Sequence, residues 1–197
     1  QQRPDLYHAW IGSGQMVSLR ETDLRAYQDV LDLAARTGDE ATASRMLQYG
    51  KPPYADTPYA NAFVMGLYEP LYKPYTPPQA YRDLGNAANI GPYGIFGAEY
   101  NFVEKANVLR GLIDTFTVMY PQLQEIDFRR DAPKLDVPVY ILDGQAELSS
   151  RRSLALEWYA QLGAPIKRTL SFEDAAHSVA FEQFEAFHAF MLSTVLP

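Results

Sequence analysis

A chain of 197 residues with 47% hydrophobic and 13% aromatic side chains can bury a substantial core, and is neither disordered nor fibrous. Its formal charge of −7, without long Lys/Arg runs, argues against nucleic acid or an anionic membrane as the main partner. The lack of cysteine excludes disulfides, thiolate metal sites and cysteine nucleophiles but is compatible with either side of a membrane, cytoplasmic or secreted, and no run of roughly 18 apolar residues could span a bilayer.

The opening residues, QQRPDLYHAW, lack the charged-then-apolar order of a signal peptide. They read as the end of a helix, interrupted by Pro4, running into a buried strand over 6–11, so a preceding segment is expected. After the turn GSG, Ser18 and Glu21 fit a capping box, Leu24, Tyr27, Leu31 and Ala34 follow at helical spacing, and Gly38 stands where a helix stops. A second helix over 39–49 ends at Gly50 before KPPY. Residues 51–100 are rich in Pro, Tyr and Gly and read as short helices and ordered loops packed by tyrosines. NVLRGLIDTFTVMY (107–120) predicts a helix with Leu109, Leu112, Ile113 and Phe116 on one face.

After Pro133 the pattern changes. VPVYILDG is a continuous apolar, β-prone run, which suits a strand over 137–142 buried on both faces of a parallel sheet. SSRRSLALEWYAQLGAP predicts a helix capped by Ser149 or Ser150, with Leu154, Trp158 and Leu162 inward. A strand over 167–171 and a closing helix carrying Phe184, Phe187, Met191 and Val195 complete the chain. Strand, helix, strand, helix at this spacing is a βαβ pattern, so the fold class is α/β. Residues 134–197 read as the end of a parallel sheet, 1–14 as another of its strands, and 15–133 as a mainly helical insertion.

In open parallel sheets functional groups collect past the carboxyl ends of the strands. DGQAELSS and EDAAHSV both follow strands, so Glu147 and His177 are expected on adjacent loops at one sheet edge. A lone loop histidine is more often a solvated polar residue. Here a carboxylate is placed to fix its tautomer and stabilise its imidazolium, as the acid and base of a nucleophilic hydrolase. Asp143 is the competing acid, but it precedes Gly144 and belongs to the strand. His8, inside the first strand, and His188, on the closing helix, read as structural.

The stretch VPVYILDGQAE…LALEWYAQLGAPIKRTLSFEDAAHSVAFEQFEAF resembles the C-terminal third of α/β-hydrolase-fold enzymes, especially those similar to proline iminopeptidases. Gly144 and Glu147 stand for the family's G-x-x-D turn, Ala164, Pro165 and Lys167 for its L-x-A-P-x-K phrase, and Ala176, His177 and Ser178 for its histidine loop. RPDLYHAWIGSGQ resembles the strand after the nucleophile helix and YGKPPY the lid, so the likeness covers nearly the whole chain. Glu147 replaces the usual Asp, an accepted variation whose extra methylene moves the carboxylate.

The resemblance implies a serine hydrolase needing no cofactor or metal, with 15–133 as the lid and Glu147 and His177 as acid and base. It implies release of an N-terminal residue, often proline, from small peptides, and lid carboxylates, Glu99 and Glu104, to meet the substrate's cationic amine. An esterase would need no amine site, and a truncated, non-catalytic interaction module is the reading from another class. The serine of a G-x-S-x-G elbow is missing. Ser13 sits in I-G-S-G-Q, with glycine adjacent and no amphipathic helix directly after it. The resemblance therefore implies that a segment ending shortly before Gln1 supplies the nucleophile and the oxyanion loop.

Overall fold

A strand buried on both faces forms the centre of the molecule. The computed structural model describes residues 3–54, 60, 64–83 and 98–196. It contains a mixed α/β architecture around three parallel strands, β1 (Trp10–Ser13), β2 (Val139–Gly144) and β3 (Lys167–Phe172), in the order β1-β2-β3. Trp10 lies opposite Val139 and Ser13 opposite Leu142, while Val139 faces Lys167 and Gly144 faces Phe172 on the other side. All six residues of β2 are buried, as its continuous apolar run requires of a central parallel strand. Alternate side chains serve opposite faces. Val139 and Ile141 pack with Leu154, Trp158 and Leu162, whereas Tyr140 and Leu142 pack with Ala175, Val179 and Phe190.

Two strands are displaced at both ends from the sequence reading, β1 to Trp10–Ser13 and β2 to Val139–Gly144. Residues expected at the start of the first strand instead form a 3-10 turn, Pro4–Leu6, with Leu6 and Tyr7 exposed. The ladder begins only where the Trp10 amide donates to the Pro138 carbonyl at 2.8 Å. His8 therefore sits at an exposed bend before the strand, not within it. β2 likewise starts at Val139 rather than 137, since Pro138 has no N–H to contribute. β3 falls where the sequence puts it, to within a residue.

Between β1 and β2 lie α1 (Leu19–Thr37), α2 (Glu40–Tyr49), α3 (Gln79–Asp83), α4 (Phe102–Leu123) and α5 (Phe128–Asp131). The Ser18 hydroxyl accepts from the Glu21 amide at 3.3 Å, and Gly38, at φ 70°, ends α1 in the left-handed region open to glycine. The buried face of α1 is Asp23, Ala26, Tyr27, Val30 and Ala34. Leu24, expected inside, is at the surface because the helix turns Glu21 and Arg25 toward its neighbours. Arg25 donates to Ser153 and Glu157, and Arg129 joins Glu21, Asp127 and Glu157, so one charge network ties α1 and α5 to α6 (Ser149–Gln161). Ile113 of α4 is exposed rather than inward, and Phe116 packs on Tyr120 at 5.2 Å. The side chains of Leu109 and Leu112, and all of the Gly-containing stretch 84–97, lie outside the described residues.

α6 has no serine cap; Leu148 occupies the cap position, and Ser150 is buried. Beyond β3, the expected single closing helix is divided into α7 (Val179–Glu182) and α8 (Phe184–Phe190), which continues as a π turn, Met191–Val195. Phe190, not Phe184, is its buried aromatic residue. Among the described residues, no helix is long and apolar enough to cross a membrane.

One core carboxylate makes stability depend on pH. Asp23 is 3% exposed, and its Oδ2 accepts from the Tyr120 hydroxyl at 2.7 Å. Burial pushes its pKa up to about 6, against the opposing effects of the Tyr120 bond and the Arg151 charge. Because the folded value lies above the unfolded one, its contribution is fully present below pH ~4 and is lost as pH rises through about 6. Asp23→Asn keeps an acceptor for Tyr120 and removes the titration. Urea unfolding is expected to give the variant an advantage of up to ~3 kcal/mol at pH 8 that vanishes near pH 4; an equal difference at both pH values would contradict this account.

Candidate active site

The loops that follow β2 and β3 are joined by backbone hydrogen bonds. The Gln145 amide donates to the Phe172 carbonyl at 2.9 Å and the Ala146 amide to the Ala175 carbonyl at 3.0 Å. This seam brings Glu147 Oε2 to 2.5 Å from His177 Nδ1. The carboxylate is buried, whereas the imidazole is 45% exposed. Glu147 Oε1 accepts from the Leu148 amide at 2.8 Å, at the start of α6, and lies 3.6 Å from Arg151 Nη1. An ionised carboxylate only accepts, so Nδ1 must carry the proton of the short contact. In the neutral ring Nε2 then carries the lone pair, the form required of a general base.

Asp143 is committed elsewhere. Its two oxygens accept from Arg152 Nε and Nη2 at 2.6 and 2.8 Å, and the Ser171 hydroxyl donates to it at 3.1 Å. The structure brings Glu147, not Asp143, to the imidazole. Neighbouring arginines of α6 thus serve opposite ends of the turn, Arg152 holding the strand and Arg151 facing the loops.

Two glycines make room for the histidine loop. At Gly14 (φ 56°) a Cβ would stand 2.5 Å from His177 Cε1 and 2.6 Å from its Nδ1. At Gly144 a Cβ would collide with the Ala176 carbonyl oxygen. The sequence marks Gly14 only as part of a turn; its place just past a strand end was the available clue to a close approach.

Other predicted positions fall away from this pair. Glu99 is exposed in a turn at 98–100. Glu104 uses its carboxylate on its own helix, accepting from the Asn101 amide at 2.8 Å while Asn101 Oδ1 accepts from the Glu104 amide at 3.0 Å. Ser13 is exposed at the end of β1, and among the described residues no hydroxyl hydrogen-bonds the His177 ring. His8 and His188 are exposed.

Sequence reasoning missed Arg151. Its Nη1 lies 3.4 Å from His177 Nδ1 and 3.3 Å from the Tyr72 hydroxyl, with the guanidinium 5.4 Å over the Tyr68 ring. Its position four residues after Glu147, in ELSSR, was the one available signal, since that spacing aligns side chains on a helix.

No protein-family model matches the chain. Among curated proteins it is similar to the probable aminopeptidase YbaC of Bacillus subtilis (strain 168), at 23% identity over 183 residues. The match takes in 93% of this chain and 56% of the relative, so the chain spans little more than half of that protein's length. No solved structure matches it significantly.

The glycine seat is testable without any substrate. A Gly14→Ala chain is expected to keep its far-UV circular dichroism and to lose the far-downfield proton resonance of His177 Nδ1–H, because the ring must leave Glu147 to clear the new methyl. A resonance unchanged from wild type would show that Gly14 does not set the ring's position.

Proposed function

We propose that the chain is part of an α/β-hydrolase of the proline iminopeptidase kind, with residues 1–14 and 134–197 in its core and 15–133 as its helical lid. Glu147 is its acid and His177 its base, and the nucleophilic serine comes from a segment absent from this chain. The 2.5 Å contact between Glu147 and His177 past the carboxyl ends of parallel strands carries the reading. The lid assignment is supported by the ends of the insertion, which meet where the Phe128 amide donates to the Val17 carbonyl at 3.0 Å. The missing segment is supported by β1, which among the described residues has a strand partner on one side only. An apolar hollow of about 410 Å³ at that region is lined by Tyr7, Trp10, Phe128, Leu135 and Trp158.

In this mechanism His177 Nε2 takes the hydroxyl proton as the serine oxygen bonds to the substrate carbonyl, and Glu147 stabilises the imidazolium. The imidazolium returns that proton to the leaving amine as the C–N bond breaks. Water then enters by the same route, its proton going to Nε2 and back to serine as the acid is released. The similarity to a probable aminopeptidase favours a peptide over a simple ester. Removal of an N-terminal residue requires a partner for its ammonium. Glu104 already caps a helix, which leaves Glu99 as the candidate of the two lid carboxylates for that role.

The test is to join the chain to the segment encoded upstream and compare turnover of a proline arylamide with that of an acyl ester. His177→Ala is expected to lower kcat about 10³-fold or more with the fold retained. Glu147→Gln is expected to be severe, because the amide fails to stabilise imidazolium, and Glu147→Asp the mildest change. Asp143→Asn is expected to act on stability, by about 3 kcal/mol for a broken buried pair. If it lowers kcat more than Glu147→Gln does, the acid is misassigned.

The free edge gives a separate expectation. Alone, the chain is expected to self-associate through β1 and to lack ordinary esterase activity. A soluble monomer that hydrolyses substrate efficiently would refute the need for a second segment.

A further inference from the structure

One buried carboxylate stands outside the acid–histidine pair yet touches both the histidine loop and the segment that covers it. Glu182, the last residue of α7, is 3% exposed. Its Oε2 accepts from the backbone amide of Ala176, the residue before His177, at 2.6 Å. Its Oε1 accepts from the Tyr75 hydroxyl at 3.2 Å. A charge this deep is costly unless both oxygens find donors, and here each has one. Burial and the neighbouring carboxylate push the Tyr75 hydroxyl well above the usual phenol range, so it remains a donor.

Tyr75 ends a segment that crosses the site. Tyr68 lies beneath the Arg151 guanidinium, Tyr72 accepts from Arg151, and the Lys73 amide donates to the Ala146 carbonyl at 3.3 Å. Residues 68–75 therefore touch the acid's loop, the helix after it and, through Glu182, the histidine's loop. Three tyrosines spaced along YEPLYKPY make these contacts.

We infer that Glu182 is a positioning residue: one oxygen fixes the backbone that presents His177 and the other holds the crossing segment at Tyr75. One side chain then sets the proton carrier and its cover in register. The inference rests on the reading of His177 as a proton carrier for its catalytic consequence, but its geometric part stands without it.

The test measures amide exchange at Ala176 by NMR in the 197-residue chain, together with kcat and KM in the chain joined to its upstream segment. Glu182→Ala is expected to speed Ala176 exchange about 10- to 100-fold, the factor a hydrogen bond to a charged group is worth. It is expected to lower kcat by about 10- to 100-fold with KM within about twofold, as for a misplaced base. Glu182→Gln is expected to restore both, because its carbonyl can accept from Ala176 and its NH2 can donate to the Tyr75 oxygen. Tyr75→Phe is expected to fold and to speed Ala176 exchange several-fold, so it decides the matter if Glu182→Ala fails to fold. Wild-type exchange at Ala176 in folded Glu182→Ala and Tyr75→Phe chains overturns the inference. Exchange that responds as stated, in a protein that hydrolyses neither arylamide nor ester, removes the hydrolase reading and leaves the positioning role standing.

Discussion

Gly144 ends the central strand with no side chain, and that vacancy lets the loop after β3 run directly across the end of β2. The Ala175 and Ala176 carbonyls occupy the space a Cβ would need, and the Ala175 carbonyl accepts the Ala146 amide at 3.0 Å. Once the two loops are joined there, Glu147 and His177 have little choice of distance. Burial of β2 on both faces keeps this seam in place, because displacing the strand would expose Val139, Tyr140, Ile141 and Leu142 together, at roughly 2 kcal/mol for each large apolar side chain. The packing of the core thus sets the geometry of the site.

The carboxylate of Glu147 is held from three directions. Oε1 accepts from the Leu148 amide and faces Arg151, while Oε2 meets the imidazole. An acceptor-only group so surrounded cannot rotate without leaving a donor unpaired. The length of the glutamate side chain lets its carboxylate reach back to the amide at the start of α6 and forward to the ring. Arg151 couples this arrangement to the tyrosines of residues 68–75, so the helical part and the sheet share one polar junction instead of meeting through apolar packing alone.

Local signals in the sequence were enough for elements whose boundaries are set by their own residues. Ser18 and Gly38 bracket α1 because a hydroxyl and a left-handed glycine act within one turn of the chain. β2 was legible because a run buried on both faces carries no polar alternation. β1 was displaced because its apolar approach, Leu6 and Tyr7, resembles a strand in composition, while the ladder depends on where Pro138 offers its carbonyl. Leu24 was misplaced for a related reason: the orientation of α1 follows Arg25 and its partners on α6, which lie more than a hundred positions away. The juxtaposition of Glu147 and His177 could be argued from strand order. The contacts of Arg151 and Glu182 could not, since each depends on the path of a proline- and tyrosine-rich segment without helical or strand periodicity.

That segment also bears on why a buried Asp23 persists in α1 despite the cost of ionising it. Asp23 accepts from Tyr120, whose hydroxyl oxygen accepts the Tyr54 amide at 3.4 Å, and its charge acts on Tyr54 and Tyr68 and on Arg151. A neutral apolar side chain there would leave the Tyr120 hydroxyl as an unpaired buried donor, at a cost of about 1–3 kcal/mol. It would also remove a carboxylate whose charge interacts with that of Arg151. Arg151 thus interacts with two carboxylates, Asp23 of α1 and Glu147 of the loop after β2. The two carboxylates offset the positive charge of a guanidinium that is 17% exposed and stands beside the imidazole.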